Sequence, residues 1–351
     1  MPEDVWSEQD TTPSAIAAAF RQLLHDRHVA DAAYVPARVL NLVVVVDREW
    51  RGEVANRLES VGRYHASRTI LCCVEPGRTT LDARVSMAYD ENPAPGTLAV
   101  VSEGVEIRIG PRHLAGLDTI VDPVIVPGLV TAMWSPHGHD EAVDSMLELS
   151  DVVLLDSVEA DDVRGALTRV EGLAERVYVV DLAWLRSTPW RERVCATFDP
   201  AQWRPELGRI SGVEVRHRPD SLASAALFTG WLASRLGWTA RPLTAVGSRH
   251  EGKLRARRGE VAVRLEPAER QSVPGLAGIT LETADGMSLS LDRGPGGLSA
   301  RRVDRKGRES HWTLLGASRG EPGILGEGVR QALLRDPTYR PALEAAKAMV
   351  A

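Results

Sequence analysis

From residue 39 to residue 74 the chain runs through a valine-rich apolar stretch, a helix-periodic stretch and a second apolar stretch, a succession that leaves few folds open. Val39 to Val46 has almost no polar interruption, as expected for a strand covered on both faces. Trp50, Val54, Leu58 and Val61 then recur at helical spacing, with Gly62 placed to end the helix. A polar connection, Arg63 to Arg68, leads into the apolar run Thr69 to Val74, which Pro76-Gly77 closes. A strand, a helix and a strand of this length predict a parallel crossover unit, and hence a sheet flanked by helices.

The same alternation continues on either side. Thr12-Pro13 opens a helix whose apolar stripe is Ile16, Phe20, Leu23 and Leu24. Further strands are expected at residues 84–89, 98–109, 130–134, 152–155 and 177–180, with a helix through Val163, Leu167 and Val170 and a long one from Ser221 to Leu236. From about residue 240 the period changes to two. Val261, Val263 and Leu265, then Met287, Leu289 and Leu291, alternate with polar residues, and Asp285-Gly286 and Gly294 to Gly297 supply turns. The pattern predicts an acidic, loose leader over 1–12, an α/β domain with a mixed central sheet over 13–237, and a smaller α+β domain over 238–351. In that last domain an antiparallel sheet is covered on one face by C-terminal helices. Charge divides along the same line: residues 1–240 carry 23 basic and 35 acidic side chains, whereas 241–320 carry 15 and 9.

Catalytic motifs are missing from this frame. An α/β sheet invites a nucleotide, yet the first strand is followed by Asp47-Arg48-Glu49-Trp50, where a diphosphate needs bare glycine backbone. His137-Gly138-His139-Asp140 has metal-ligand character but no third separated ligand, and Asp140 suits a helix start. Cys72 and Cys73 point to opposite faces of a strand, and Cys195 lies far from both, so the three cysteines form neither a disulfide framework nor a metal knuckle. No glycine-framed serine is present. The basic residues Arg255, Arg257, Arg258, Arg301, Arg302, Arg305, Lys306 and Arg308 raise nucleic acid as a ligand; the interspersed acids and scarce aromatics fit solvated strand faces better. The opening Met1-Pro2-Glu3-Asp4 has no basic or long apolar run, and no stretch is long enough to span a bilayer, so a cytoplasmic protein without membrane or nucleic-acid partners is expected.

One set of blocks remains. The run Arg38-Val39-Leu40-Asn41-Leu42-Val43-Val44, the turn Arg63 to Ile70, the strand Ser102-Glu103 to Ile107 and the apolar segment Leu129 to Trp134 follow one another. In this order they resemble the glucose-6-phosphate dehydrogenase assembly protein family, called OpcA. The resemblance covers about residues 13–235, with Ala66 where the family often has proline and Met133-Trp134 where it often has two tryptophans. It implies a non-catalytic subunit, with no cofactor or metal, that binds glucose-6-phosphate dehydrogenase, favours its active oligomer and raises its activity in the oxidative pentose phosphate pathway. Arg63, His65, Ser67, Arg68, Thr69, Glu103 and Trp134 are the candidate partner-binding or structural centre, with Arg68 suited to a carboxylate and tryptophan to an interface. The alternative is a sensor that binds a sugar phosphate or nicotinamide nucleotide through Arg63, His65, Ser67 and Arg68. Thiol switching, known in photosynthetic relatives, is not expected of cysteines on a buried strand.

Overall fold

The computed structural model describes residues 3–30, 34–36, 38–62, 66–89, 99–294, 297–315, 320–331 and 334–350. Two compact units share the chain: the first takes residues 1–155, 176–180 and 321–334, the second 156–175, 181–320 and 335–351.

The first unit is built on a mixed sheet. Its strands are β1 (Glu3–Glu8), β2 (Tyr34–Pro36), β3 (Leu40–Asp47), β4 (Ser67–Val74), β5 (Asp82–Tyr89), β6 (Ala99–Ile109), β7 (Val130–Trp134), β8 (Val152–Leu155) and β9 (Tyr178–Asp181). They lie in the order β1-β5-β6-β4-β3-β7-β8-β9, with β2 beside β6. From β6 to β8 every pair is parallel, whereas β1–β5 and β5–β6 are antiparallel. Helices α1 (Pro13–Ala30), α2 (Arg51–Gly62), α3 (Leu117–Val121) and α4 (Asp140–Met146) flank it, α1 against β1 and β5, α2 against β3 and α4 against β7. The β-branched runs do what both-face burial demands: every residue from Leu40 to Val46 is buried. The expected loose leader is instead edge strand β1, since Asp4 is held by Arg27 and Glu3 by Arg84, ties that offset the scarcity of apolar residues.

The second unit holds helices α5 (Val163–Ala174), α6 (Leu182–Arg186), α7 (Thr188–Phe198), α8 (Arg204–Leu207) and α9 (Leu222–Leu236). Its sheet comprises β10 (Ile210–His217), β11 (Thr244–Val246), β12 (Arg249–Arg255), β13 (Glu260–Pro267), β14 (Leu276–Thr283), β15 (Ser288–Gly294), β16 (Gly297–Val303) and β17 (Glu309–Leu315), ordered β11-β12-β13-β10-β14-β15-β16-β17. The period-two segments are in place, but the sheet is not purely antiparallel. Strand β10 inserts between β13 and β14, parallel to the former, because Val213 and Val215 alternate with polar neighbours and fit the same half-buried face. Helix α9, expected to close the α/β part, packs on β10 and β13 of this sheet. Of the last two helices, α10 (Gly320–Gln331) and α11 (Tyr339–Met349), only α11 belongs wholly to this unit, where it lies on α9. The two helices approach so closely at Gly230 that a Cβ there would fall 2.2 Å from Ala342 O.

Candidate functional site

The predicted centre is a polar row sunk in the first sheet. Glu103 on β6 stands beside Arg68 on β4, Arg68 beside Asn41 on β3, and Asn41 beside Thr131 on β7, the last three each being the second residue of its strand. All four are buried. Arg68 Nε donates to Glu103 Oε2 at 2.9 Å and Nη1 to Val124 O at 2.9 Å, while Arg38 Nε donates to the same Oε2 at 2.9 Å and Nη2 to Oε1 at 2.5 Å. Phe20 lies under the Arg68 guanidinium, 4.2 Å from Cζ to ring centre. Burial lowers the Arg68 pKa and the positive charge of Arg38 adds to that, with Glu103 opposing both. Next to it, Asn41 donates from Nδ2 to Val126 O at 3.1 Å and to Thr131 Oγ1 at 3.2 Å, and its Oδ1 accepts from Val126 N at 2.9 Å. The row therefore clamps the segment carrying Val124 and Val126 to the edge where these strands begin.

Ser67 and Thr69 flank Arg68, Ser67 half-buried, their hydroxyl oxygens 3.1 Å apart. Arg63 and His65 lie outside the described residues. Trp134 closes β7 and is 1% exposed, so it is core rather than an interface anchor. Its place at the end of a mostly apolar run is the signal for that. Arg68, committed to Glu103 and Val124, has no guanidinium face to offer an outside anion.

At the opposite ends of the same strands lies a second cluster that sequence reasoning saw only in pieces. Chain order reverses at β3: it runs β3, β4, β6 to one side and β7, β8, β9 to the other. In open α/β sheets the crevice beyond the carboxyl ends of the strands at such a switch is where ligands bind. Here the connections that follow β3 and β7 bring two aromatic rings together. Trp50, in the connection from β3 to α2, stacks on His137, in the connection from β7 to α4, with ring centres 4.7 Å apart and planes inclined by 25°. His139 Nε2 stands 3.4 Å from Asp47 Oδ1 without hydrogen-bond alignment, so the pair is electrostatic only when the imidazole is protonated. His137, Gly138 and His139 are all left-handed, with φ of 65°, 111° and 66°, a backbone state that costs energy at the two histidines. Ser135 Oγ donates to Gly138 O within this loop. Trp50 is 40% exposed.

Elsewhere, several chemistry-bearing groups are tied up, while the Cys195 thiol is exposed. Burial pushes the Cys72 and Cys73 thiols up to about 12 and about 11, which keeps them protonated. In the second unit the wholly buried Asp181 accepts from Ser157 Oγ at 2.5 Å, Ala183 N at 2.9 Å and Tyr339 Oη at 3.1 Å. Desolvation, with Asp156 nearby, raises its pKa to about 6. Asp156 is itself gripped by both Nη atoms of Arg186. Of the basic residues on the second sheet, Arg301 pairs with Glu309, Arg305 with Glu206 and Asp285, and Arg308 with Asp304, while Arg302 lies over Trp203. Among the described residues no group of three or more His, Cys, Asp or Glu side chains is arranged to hold a metal ion, and no helix is long and apolar enough to cross a membrane.

Two family models match the chain. Residues 58–172 match the N-terminal domain, and residues 177–343 the C-terminal domain, of a family described as a glucose-6-phosphate dehydrogenase subunit. The chain is 26% identical over 199 residues to a protein of Synechococcus elongatus named OxPP cycle protein OpcA, covering 55% of this chain and 44% of that one. It is 26% identical over 144 residues to the protein of the same name in Synechocystis, covering 40% and 30%. The matched stretch thus spans less than half the length of these relatives. Among solved structures, apo scyllo-inositol dehydrogenase from Lactobacillus casei is similar with a TM-score of 0.45 and 11% identity, over 90% of this chain and 96% of that one.

Proposed function

The chain belongs to the glucose-6-phosphate dehydrogenase assembly protein family, and from that premise we propose that it is a subunit without chemistry of its own that binds glucose-6-phosphate dehydrogenase, favours its active oligomer and so activates it. One observation carries the non-catalytic part. At the strand switch, the position in such a sheet with the best geometry for a nucleotide, Trp50 stacks on His137, and the loop that would wrap a diphosphate is Asp47-Arg48-Glu49-Trp50. Two carboxylates and an indole there repel or block what a glycine-rich turn would admit.

Activation needs no active site. A protein that binds one oligomeric state of the enzyme more tightly than another shifts the population by that difference in affinity alone. The test is a titration of the same organism's glucose-6-phosphate dehydrogenase with this protein, read by NADPH formation and by size-exclusion chromatography of the mixture. Saturable activation with a co-migrating complex is the expected result. No complex and no activation, together with a rise in melting temperature on adding glucose 6-phosphate or NADP, would replace this function with metabolite sensing.

A further inference from the structure

Trp50 is the aromatic residue among the large apolar side chains that stand exposed on the described surface; the others, Val5, Val29, Val39, Val246, Val273 and Leu334, are aliphatic. Tryptophan is the side chain whose removal most often costs an interface its affinity. This one is also held ready. Its ring is fixed against His137, and His137 sits in a loop of three consecutive left-handed residues. Order of that kind lowers the entropy cost of docking, and backbone strain persists where the surroundings impose it, most often at functional sites.

The charges around the platform select its partner. Asp47 and Glu49 lie on the Trp50 side, and Asp140 and Glu141 open α4 directly after His139; all but the half-buried Asp47 are exposed. Of the two arginines nearest Trp50 in the chain, Arg51 is engaged by Glu106. An exposed indole whose own connection carries Asp47 and Glu49, stacked on a loop that leads into Asp140 and Glu141, is suited to a guanidinium or ammonium group, which gains from the ring quadrupole and from nearby negative charge.

Resting on the assembly function above, we propose that the Trp50–His137 platform is the point at which this protein docks on glucose-6-phosphate dehydrogenase, against an arginine- or lysine-bearing patch of the enzyme. The test measures binding of the dehydrogenase to the full chain and to three variants. Trp50→Ala is expected to weaken the complex about thirtyfold or more, and Glu49→Lys to slow association several-fold and flatten its dependence on salt. Val246→Ala, an equally exposed site on β11 of the second unit, is expected to leave affinity within twofold. Melting curves check that Trp50→Ala remains folded, and Glu49→Lys, at a solvent-exposed loop position, reports independently if it does not. If the unsubstituted chain binds and both Trp50→Ala and Glu49→Lys bind equally well, the docking point is elsewhere and this inference fails while the assembly function stands. If the unsubstituted chain does not bind, both fall. Self-association of the chain that disappears in Trp50→Ala would assign the platform to a second copy and overturn the choice of partner.

Discussion

Strands β3 and β7 carry polar groups at both ends, and the two ends handle them in opposite ways. Where the strands begin, Glu103, Arg68, Asn41 and Thr131 are buried and nearly every polar atom is answered, two guanidiniums converging on one carboxylate. Where they finish, Trp50 and His137 stand exposed and His139 meets Asp47 without a proper hydrogen bond. Buried charge survives only when compensated, so the first end is fixed and intolerant of change. The second end keeps strain and an open aromatic face, which contribute little to folding and are available to a partner. The motifs most conspicuous in the sequence belong mainly to the first end.

The contrast is broken most directly at Glu103. Glu103→Ala leaves two largely buried guanidiniums without a counter-charge, and a loss of about 3–5 kcal/mol is expected in urea denaturation, with a matching fall in melting temperature. A Glu103→Ala protein as stable as the original would mean that the row is not the clamp described.

Asp181 offers a second buried carboxylate for comparison, but it is met by hydroxyls and backbone N–H groups with Asp156 close by, and its pKa is raised to about 6. Because the folded value lies above the unfolded one, its stabilising contribution is complete below about pH 4 and disappears as pH rises through about 6. Between pH 7 and pH 4 this group should add roughly 2–3 kcal/mol, seen as a difference in the pH dependence of melting between the original chain and Asp181→Asn. Parallel pH profiles would remove Asp181 as the source.

A smaller loss follows from Asn41→Ala. The Val126 N–H and C=O groups and the Thr131 hydroxyl lose a partner together, and about 1–3 kcal/mol is expected from equilibrium unfolding. At the other end the sign reverses: His137→Gly removes a left-handed histidine and should stabilise the chain by up to about 1 kcal/mol. The same variant, by deleting the stack under Trp50, should bind the dehydrogenase less well. Stability and binding moving in opposite directions would sharpen the comparison; a fall in both would make the loop a folding element.

Much of the framework was readable from local pattern. The β3–α2–β4 crossover, the short strands β7 and β8, and the alternating strands β13 and β15 follow from apolar period and turn residues alone. What stayed hidden depends on topology. Nothing local joins Trp50 to His137 across almost ninety residues; only the reversal of strand order at β3 does. Strand β10 has the alternation of an edge or centre strand equally, and its insertion between β13 and β14 is decided by partners more than forty residues later. Trp134, in a centre read as partner-binding or structural, is buried, which leaves it the structural part. Edge strand β1 was missed because its few apolar residues are supplemented by ion pairs to residues far along the chain.

The sharing of the chain between two units bears on how the molecule is made. Residues 176–180 and 321–334 return to the first unit after most of the second has been laid down, and 335–351 then return to the second. During synthesis the first unit lacks strand β9 until residue 181 has been made and helix α10 until residue 331 has been made. A cut anywhere between the two family-matched segments would yield fragments each missing part of its own core. The two halves are therefore not expected to work when expressed separately as independent genes.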